Sequence, residues 1–211
     1  YLIYKLQKTF IFKIFKLSLL KPKINFIKNI LTQGIPASIG LMMIAVGSYI
    51  LLYFVALFGN EAIAGYSAAI RFEQLFFLPL LGLNTAIISI VGQNFGAKNY
   101  KRIIEAYDKG LKVGIIILIL LGIIIFIISE IAIKFFTDNN EVIKYGSLYL
   151  KISAFMFPAF PFFFIGNATF QGLKRAIIVM YMSILRFVII PLIFLIMILK
   201  IFEINYTYMF I

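Results

Sequence analysis

Val113 to Ser129 reads VGIIILILLGIIIFIIS, 17 residues without a charge, bounded by Lys112 on one side and Glu130 on the other. The apolar side chains run all round the helical wheel, with neither the stripe of a surface helix nor the alternation of a half-buried strand. A segment of this kind has no face to offer water. Its length approaches the roughly 20 residues that a helix needs to cross a bilayer's hydrocarbon core.

The flanking sequence repeats the pattern. Gln74–Ala97 is an uncharged run of 24 residues, Asn29–Asn60 one of 32 and Ile152–Leu173 one of 22, while Ala176–Leu199 gives 24 residues interrupted only by Arg186. Five such runs exceed what the core of a soluble protein uses, and the alternation of a membrane β-barrel is absent. The reading is an all-α integral membrane protein, a polytopic helical bundle with helices over 30–58, 62–92, 102–136, 141–171 and 174–201. A sixth span begins at Tyr206–Ile211. Composition agrees: 63% of the 211 residues are hydrophobic and the mean hydropathy is +1.05, against roughly 45–50% apolar residues in an average soluble domain.

Several function classes fall away. The chain has no Cys and no His, which removes disulfides, thiol nucleophiles, histidine acid/base chemistry and the usual zinc ligands. An enzyme is not expected. The net charge of +12 does not point to nucleic acid, because the basic residues are spread over short connections instead of forming one phosphate-binding patch.

Their positions set an orientation, since Lys and Arg accumulate in cytoplasmic loops. Of 20 basic residues, 14 lie in three places: Lys5, Lys8, Lys13, Lys16, Lys21, Lys23 and Lys28 before the first span; Lys98, Lys101, Arg102, Lys109 and Lys112 after the second; and Lys174 and Arg175 after the fourth. The alternate connections, Gly59–Gly65 and Thr137–Glu141, carry only Glu61, Asp138 and Glu141. The N-terminal side is thus expected in the cytoplasm, with the chain in the plasma membrane and the lipid bilayer as its first partner. Residues 1–28 read as a basic linker, either an amphipathic helix on the anionic leaflet or the tail of a preceding span, and 29–211 as the transmembrane unit. Because the chain starts at Tyr1, it is expected to begin inside a longer gene product, with no signal peptide of its own.

Three charges fall within the spans, where they are expensive and usually face a partner or a cavity: Arg71, Glu73 and Arg186. Arg71 and Glu73 are two apart on one helix and point to different sides. Glu73 and Arg186 each lie roughly 15–20 Å from the external ends of their helices at 1.5 Å per residue, which would let them pair. Such a pair would either clamp two helices or serve transport. Gly92 and Gly96 bracket Gln93 and Asn94 just before Lys98, and a helix end with a tight turn suits them better than a Gly-x-x-x-Gly packing face. Pro79, Pro158, Pro161 and Pro191 bend their helices, as static shape or as hinges.

Gly34-Ile35-Pro36, Arg71-Phe72-Glu73-Gln74, Gly92-Gln93-Asn94-Phe95-Gly96-Ala97 and Gln171-Gly172, in that order and spacing over about residues 30–200, resemble the multidrug and toxic compound extrusion (MATE) antiporters. The likeness is to the second of their two six-helix repeats. It implies one lobe of a two-lobe exporter, five complete spans plus the start of a sixth, whose partner is a missing N-terminal six-helix lobe. The implied cargo is a small organic cation or drug-like compound moved against Na⁺ or H⁺. No other cofactor is implied. Gln74 and Asn167 join Arg71, Glu73 and Arg186 as pathway candidates, while Gly92, Gln93, Asn94, Gly96, Gln171 and Gly172 are the motif's turn residues.

Members of that family carry an acidic cation ligand in the first or the fourth helix of this repeat. Here the first helix has Leu41-Met42-Met43-Ile44-Ala45 and the fourth offers only Asn167. The coupling site is therefore expected in the missing lobe, with Glu73 held ionised by Arg71 or Arg186 and unsuited to coupling. Two rival readings are a lipid-linked sugar flippase, built on similar helices around a more basic cavity, and a membrane subunit or remnant that transports nothing.

Overall fold

A computed structural model describes residues 24–201 of the chain. Most of the basic N-terminal linker, residues 1–23, and the expected start of a sixth span at Tyr206–Ile211 lie outside the described residues. Within them the backbone forms helices α1 (Ile24–Val55), α2 (Asn60–Gly96), α3 (Tyr100–Lys134), α4 (Asn140–Met156), α5 (Phe160–Gly172), α6 (Ala176–Ile184) and α7 (Ile190–Ile201). A 3-10 turn at Phe157–Ala159 joins α4 to α5, and a π turn at Leu185–Ile189 joins α6 to α7, so these pairs make the fourth and fifth spans. Among the described residues five stretches are long and apolar enough to cross a membrane. This is a multi-pass membrane protein.

The first span starts earlier than the sequence suggested. Helix α1 covers Ile24–Val55 and runs unbroken through Pro36, so Gly34-Ile35-Pro36 sits inside the helix. Asparagine caps start α3 and α4. The Asn99 side chain accepts from the Arg102 N–H at 3.2 Å, and Asn139 accepts from Glu141 N–H at 2.9 Å, each filling an orphan donor of the first turn. Helix α6 is tied from a distance: the Gln33 amide oxygen accepts from the Ala176 N–H at 3.2 Å, joining α1 to α6.

The prolines explain the breaks. Pro158 lies within the 3-10 turn and Pro161 in the first turn of α5. Pro191, just past the π turn, cannot donate to the carbonyl of Phe187, four residues back, so the ladder there widens. Gly47 of α1 lies against that carbonyl, since a Cβ on Gly47 would sit 2.5 Å from the Phe187 oxygen. Pro79 leaves α2 continuous.

Spans two, three and four pack mutually through Leu80, Ile87, Leu118, Ile125, Leu150 and Phe157. Helix α1 packs chiefly on α6 and the π turn, and meets α2 near the connection between them through Val55, Ala62 and Tyr66. Lipid is as apolar as leucine, so close backbone approach and dispersion hold such a bundle. Glycines allow it: a Cβ on Gly172 would fall 2.7 Å from Val91 of α2.

The turns after spans two and four differ from the expectation that glycine supplies their left-handed residue. Gly92 to Gly96 remain helical, and positive φ falls on Lys98 (57°) and Lys174 (59°). Both ends are Schellman motifs. Lys98 N–H donates to Phe95 C=O at 3.1 Å and Asn99 N–H to Asn94 C=O at 2.9 Å; Lys174 and Arg175 repeat this with Gln171 and Phe170 at 3.0 and 2.9 Å. Gly172, likewise, is the last residue of α5. A non-glycine residue in this conformation costs about 1–2 kcal/mol. Lys98→Gly is therefore expected to raise stability by about 0.5–1 kcal/mol after the entropy of glycine is charged against it, read as a higher thermal midpoint in detergent. A lower midpoint would show that the lysine stem and ammonium hold the helix end.

Candidate functional site

Glu73 sits on the face of α2 that meets α4, 7% exposed. Tyr149 of α4 donates its phenol to one carboxylate oxygen at 2.9 Å, and Ser153, one turn further along, donates its hydroxyl to the other. The Tyr149 ring stands edge-on to Tyr66, with centroids 5.1 Å apart. Two carboxylate oxygens, a phenol and a hydroxyl thus meet between two spans, walled by apolar side chains. Among the described residues no lysine or arginine lies within ion-pair distance of Glu73; the ion pairs are Glu105–Lys109, Glu141–Lys144 and Glu130–Lys151.

Arg186 is not brought to Glu73. It lies on the π turn, the eleventh residue of the 22-residue fifth span, with its guanidinium 5.0 Å from the Phe160 ring centre, 4.3 Å from Phe163 and 5.5 Å from Phe187. A charge at mid-helix costs about 2.5–3.5 kcal/mol to insert, and desolvated cation–π contact returns about 2 kcal/mol. Phenyl rings thus replace the carboxylate that the spacing suggested. Arg71 and Gln74, on the opposite face of α2 from Glu73, are exposed on this lobe.

Asn167 is half-buried on α5. Phe77 of α2 and Phe160 of α5 stack edge to face at 5.0 Å, and Asn84 and Asn167 each lie seven residues further along these parallel helices. Among the described residues the buried Asn84 side-chain oxygen has no hydrogen-bond partner. The remaining motif residues close on their own helix: Gln93 Nε2 donates to Ser89 Oγ at 3.4 Å, and Asn94 Nδ2 to Ile90 C=O at 2.8 Å.

Reasoning from the sequence missed Tyr149, Ser153 and Asn84. The signal for the first two was present, as two hydroxyls at i and i+4 on one face of an apolar helix. What was missing was the knowledge that this face meets Glu73.

The MatE family profile matches residues 36–197. The chain belongs to the MatE family. This is a family of transporters, not of enzymes. The chain is 30% identical to a probable multidrug resistance protein NorM of Thermotoga maritima, covering 74% of this chain and 33% of that protein. It is 28% identical to the multidrug export protein MepA of Staphylococcus aureus, covering 84% of this chain and 40% of that one. The chain thus spans between a third and two-fifths of these relatives. Its fold superposes on a MATE transporter solved in an outward-facing conformation with a TM-score of 0.83 and 21% identity, over 90% of this chain and 43% of that one. A crystal structure of MATE in complex with MaL6 gives 0.85 and 20%, over 92% and 44%. The MatE-type bundle is therefore one lobe's worth of such a fold.

Proposed function

We propose that this chain supplies one lobe of a drug exporter, working in the plasma membrane with its N-terminal side in the cytoplasm. The cargo is a drug-like organic compound, held between this lobe and an N-terminal six-helix lobe and exchanged for Na⁺ or H⁺. The names of the relatives support the cargo class, and the three basic clusters support the orientation.

The observation that carries the coupling reading is the Glu73 cluster. The expectation that coupling lies in the other lobe rested on the lack of an acidic residue deep in the first and fourth spans and on an arginine beside Glu73; the second ground is absent among the described residues, where Arg186 stands over phenyl rings. A buried carboxyl with two hydroxyl neighbours offers the oxygens that a bare cation or a proton uses. Glu73 is thus the coupling candidate on this lobe.

The test is gradient-driven ethidium transport by the full-length protein in proteoliposomes, with Na⁺ and proton gradients imposed separately. Glu73→Gln is expected to reach normal levels and bind ethidium, yet lose gradient dependence by about tenfold or more. Transport that keeps its gradient response in Glu73→Gln would return the coupling site to the other lobe.

A further inference from the structure

The seam between α2 and α3 opens, near the Lys98–Lys112 end, into a groove of about 260 Å³. Leu83 and Ile87 of α2 and Val113 of α3 form its apolar part; Arg102, Glu105 and Lys109 of α3 edge it. Gly110 sets its depth, because a Cβ there would meet the Ile87 side chain at 2.6 Å. Residues 102, 105, 109 and 113 fall on one face of α3, so a single stripe passes from charged to apolar along the groove. The change occurs between Lys109 and Val113, about 6 Å of helix rise. That is also where the 17-residue uncharged run begins, which places the step at the boundary between headgroups and hydrocarbon.

The charges at this step are not balanced. Lys109 takes the Glu105 carboxylate at 2.6 Å, and among the described residues no carboxylate lies within ion-pair distance of Arg102. Between residues 98 and 112 there are five cations (Lys98, Lys101, Arg102, Lys109, Lys112) and two anions (Glu105, Asp108), a local excess of three positive charges. A guanidinium with no carboxylate at ion-pair distance, one turn from the Glu105–Lys109 pair and above an apolar trough, complements a phosphate diester joined to an acyl chain.

We infer that the α2–α3 groove is a binding site for an anionic phospholipid, its phosphate on Arg102 and Lys109 and one acyl chain along Leu83, Ile87 and Val113. A zwitterionic lipid would add an ammonium beside these cations and fits less well. Soluble phosphate would leave the trough uncovered. The site lies apart from Glu73 and Arg186 and does not depend on what the protein transports.

The experiment is native mass spectrometry of the purified full chain in detergent, with dioleoyl phosphatidylglycerol or dioleoyl phosphatidylcholine at equal concentration and folding checked by circular dichroism. Phosphatidylglycerol is expected to be retained and phosphatidylcholine not. Arg102→Gln/Lys109→Gln should cut retention about tenfold, whereas Lys98→Gln/Lys101→Gln, which removes the same charge outside the groove, should leave it within about twofold. Ala86→Phe, which fills the trough from its exposed α2 edge without touching a charge, should cut retention as well. Equal loss in the two charge pairs, retention undisturbed by Ala86→Phe, or equal binding of phosphatidylcholine would each overturn the site. Displacement by glycerol 3-phosphate at equal concentration would overturn the lipid and reassign the cations to a soluble phosphate.

Discussion

Gly65→Ala is expected to cost about 2 kcal/mol, and Gly65→Leu to prevent the bundle from assembling. At this position α2 and α4 touch backbone to backbone. A Cβ on Gly65 would lie 2.7 Å from Val142 C=O and 2.8 Å from Gly146 N, and one on Gly146 would lie 2.9 Å from Gly65 C=O. Backbone atoms cannot rotate away as a side-chain end can, so the helices must separate, and overpacking of this kind costs about 1–3 kcal/mol. Alanine's better helix propensity returns up to about 1 kcal/mol, which the clash outweighs. The damage should also travel: Glu73 lies eight residues beyond Gly65, and Ser153 seven beyond Gly146, so the same crossing sets the distance between carboxylate and hydroxyl. Gly82, in the same helix with nothing within 4 Å of an added Cβ, is the control, and Gly82→Ala should be neutral or stabilising by up to about 1 kcal/mol. Thermal midpoints by circular dichroism decide it; equal effects at 65 and 82 would mean that the α2–α4 contact is not close-packed.

The second large effect belongs to the donors of Glu73. Tyr149→Phe and Ser153→Ala each remove one hydrogen bond from a buried carboxyl, worth about 1.5–3 kcal/mol if it is charged and about 0.5–1.5 kcal/mol if it is neutral. The double variant leaves both oxygens facing apolar side chains, and a loss of about 3 kcal/mol or more is expected. Adding Glu73→Met to the double variant should restore much of that loss, because a well-packed apolar residue removes the unpaired polar group altogether. A double-mutant cycle on unfolding midpoints measures the coupling. If the double variant keeps wild-type stability, Tyr149 and Ser153 are not what holds Glu73.

Stability and transport separate at Glu73. Gln at position 73 keeps an oxygen and gains an NH₂, so it can still bond a hydroxyl from each neighbour. Stability should survive Glu73→Gln while gradient coupling does not. Tyr149→Phe and Ser153→Ala act the other way, keeping the carboxyl and removing its support.

Much of this protein was decided along the chain. Uncharged runs of the length of Val113–Ser129 and Gln74–Ala97 have no stable place except within a bilayer, and the bilayer forces their backbone into helices; this local constraint needs no knowledge of neighbours. The breaks were legible for the same reason, since Pro158, Pro161 and Pro191 act on their own helices. Only the tertiary structure decided which groups meet. Helix periodicity shows that Arg71 and Glu73 point apart, but not which helix lies opposite Glu73, and depth alone made Arg186 a candidate partner. Packing set Tyr149 and Ser153 there and turned Arg186 onto Phe160 and Phe163. The turn after α2 shows the same division. Glycine marked a helix end, yet the left-handed residue is Lys98, because Gly92 and Gly96 stay within the helix and the conformation falls on the residue where the Schellman bonds close.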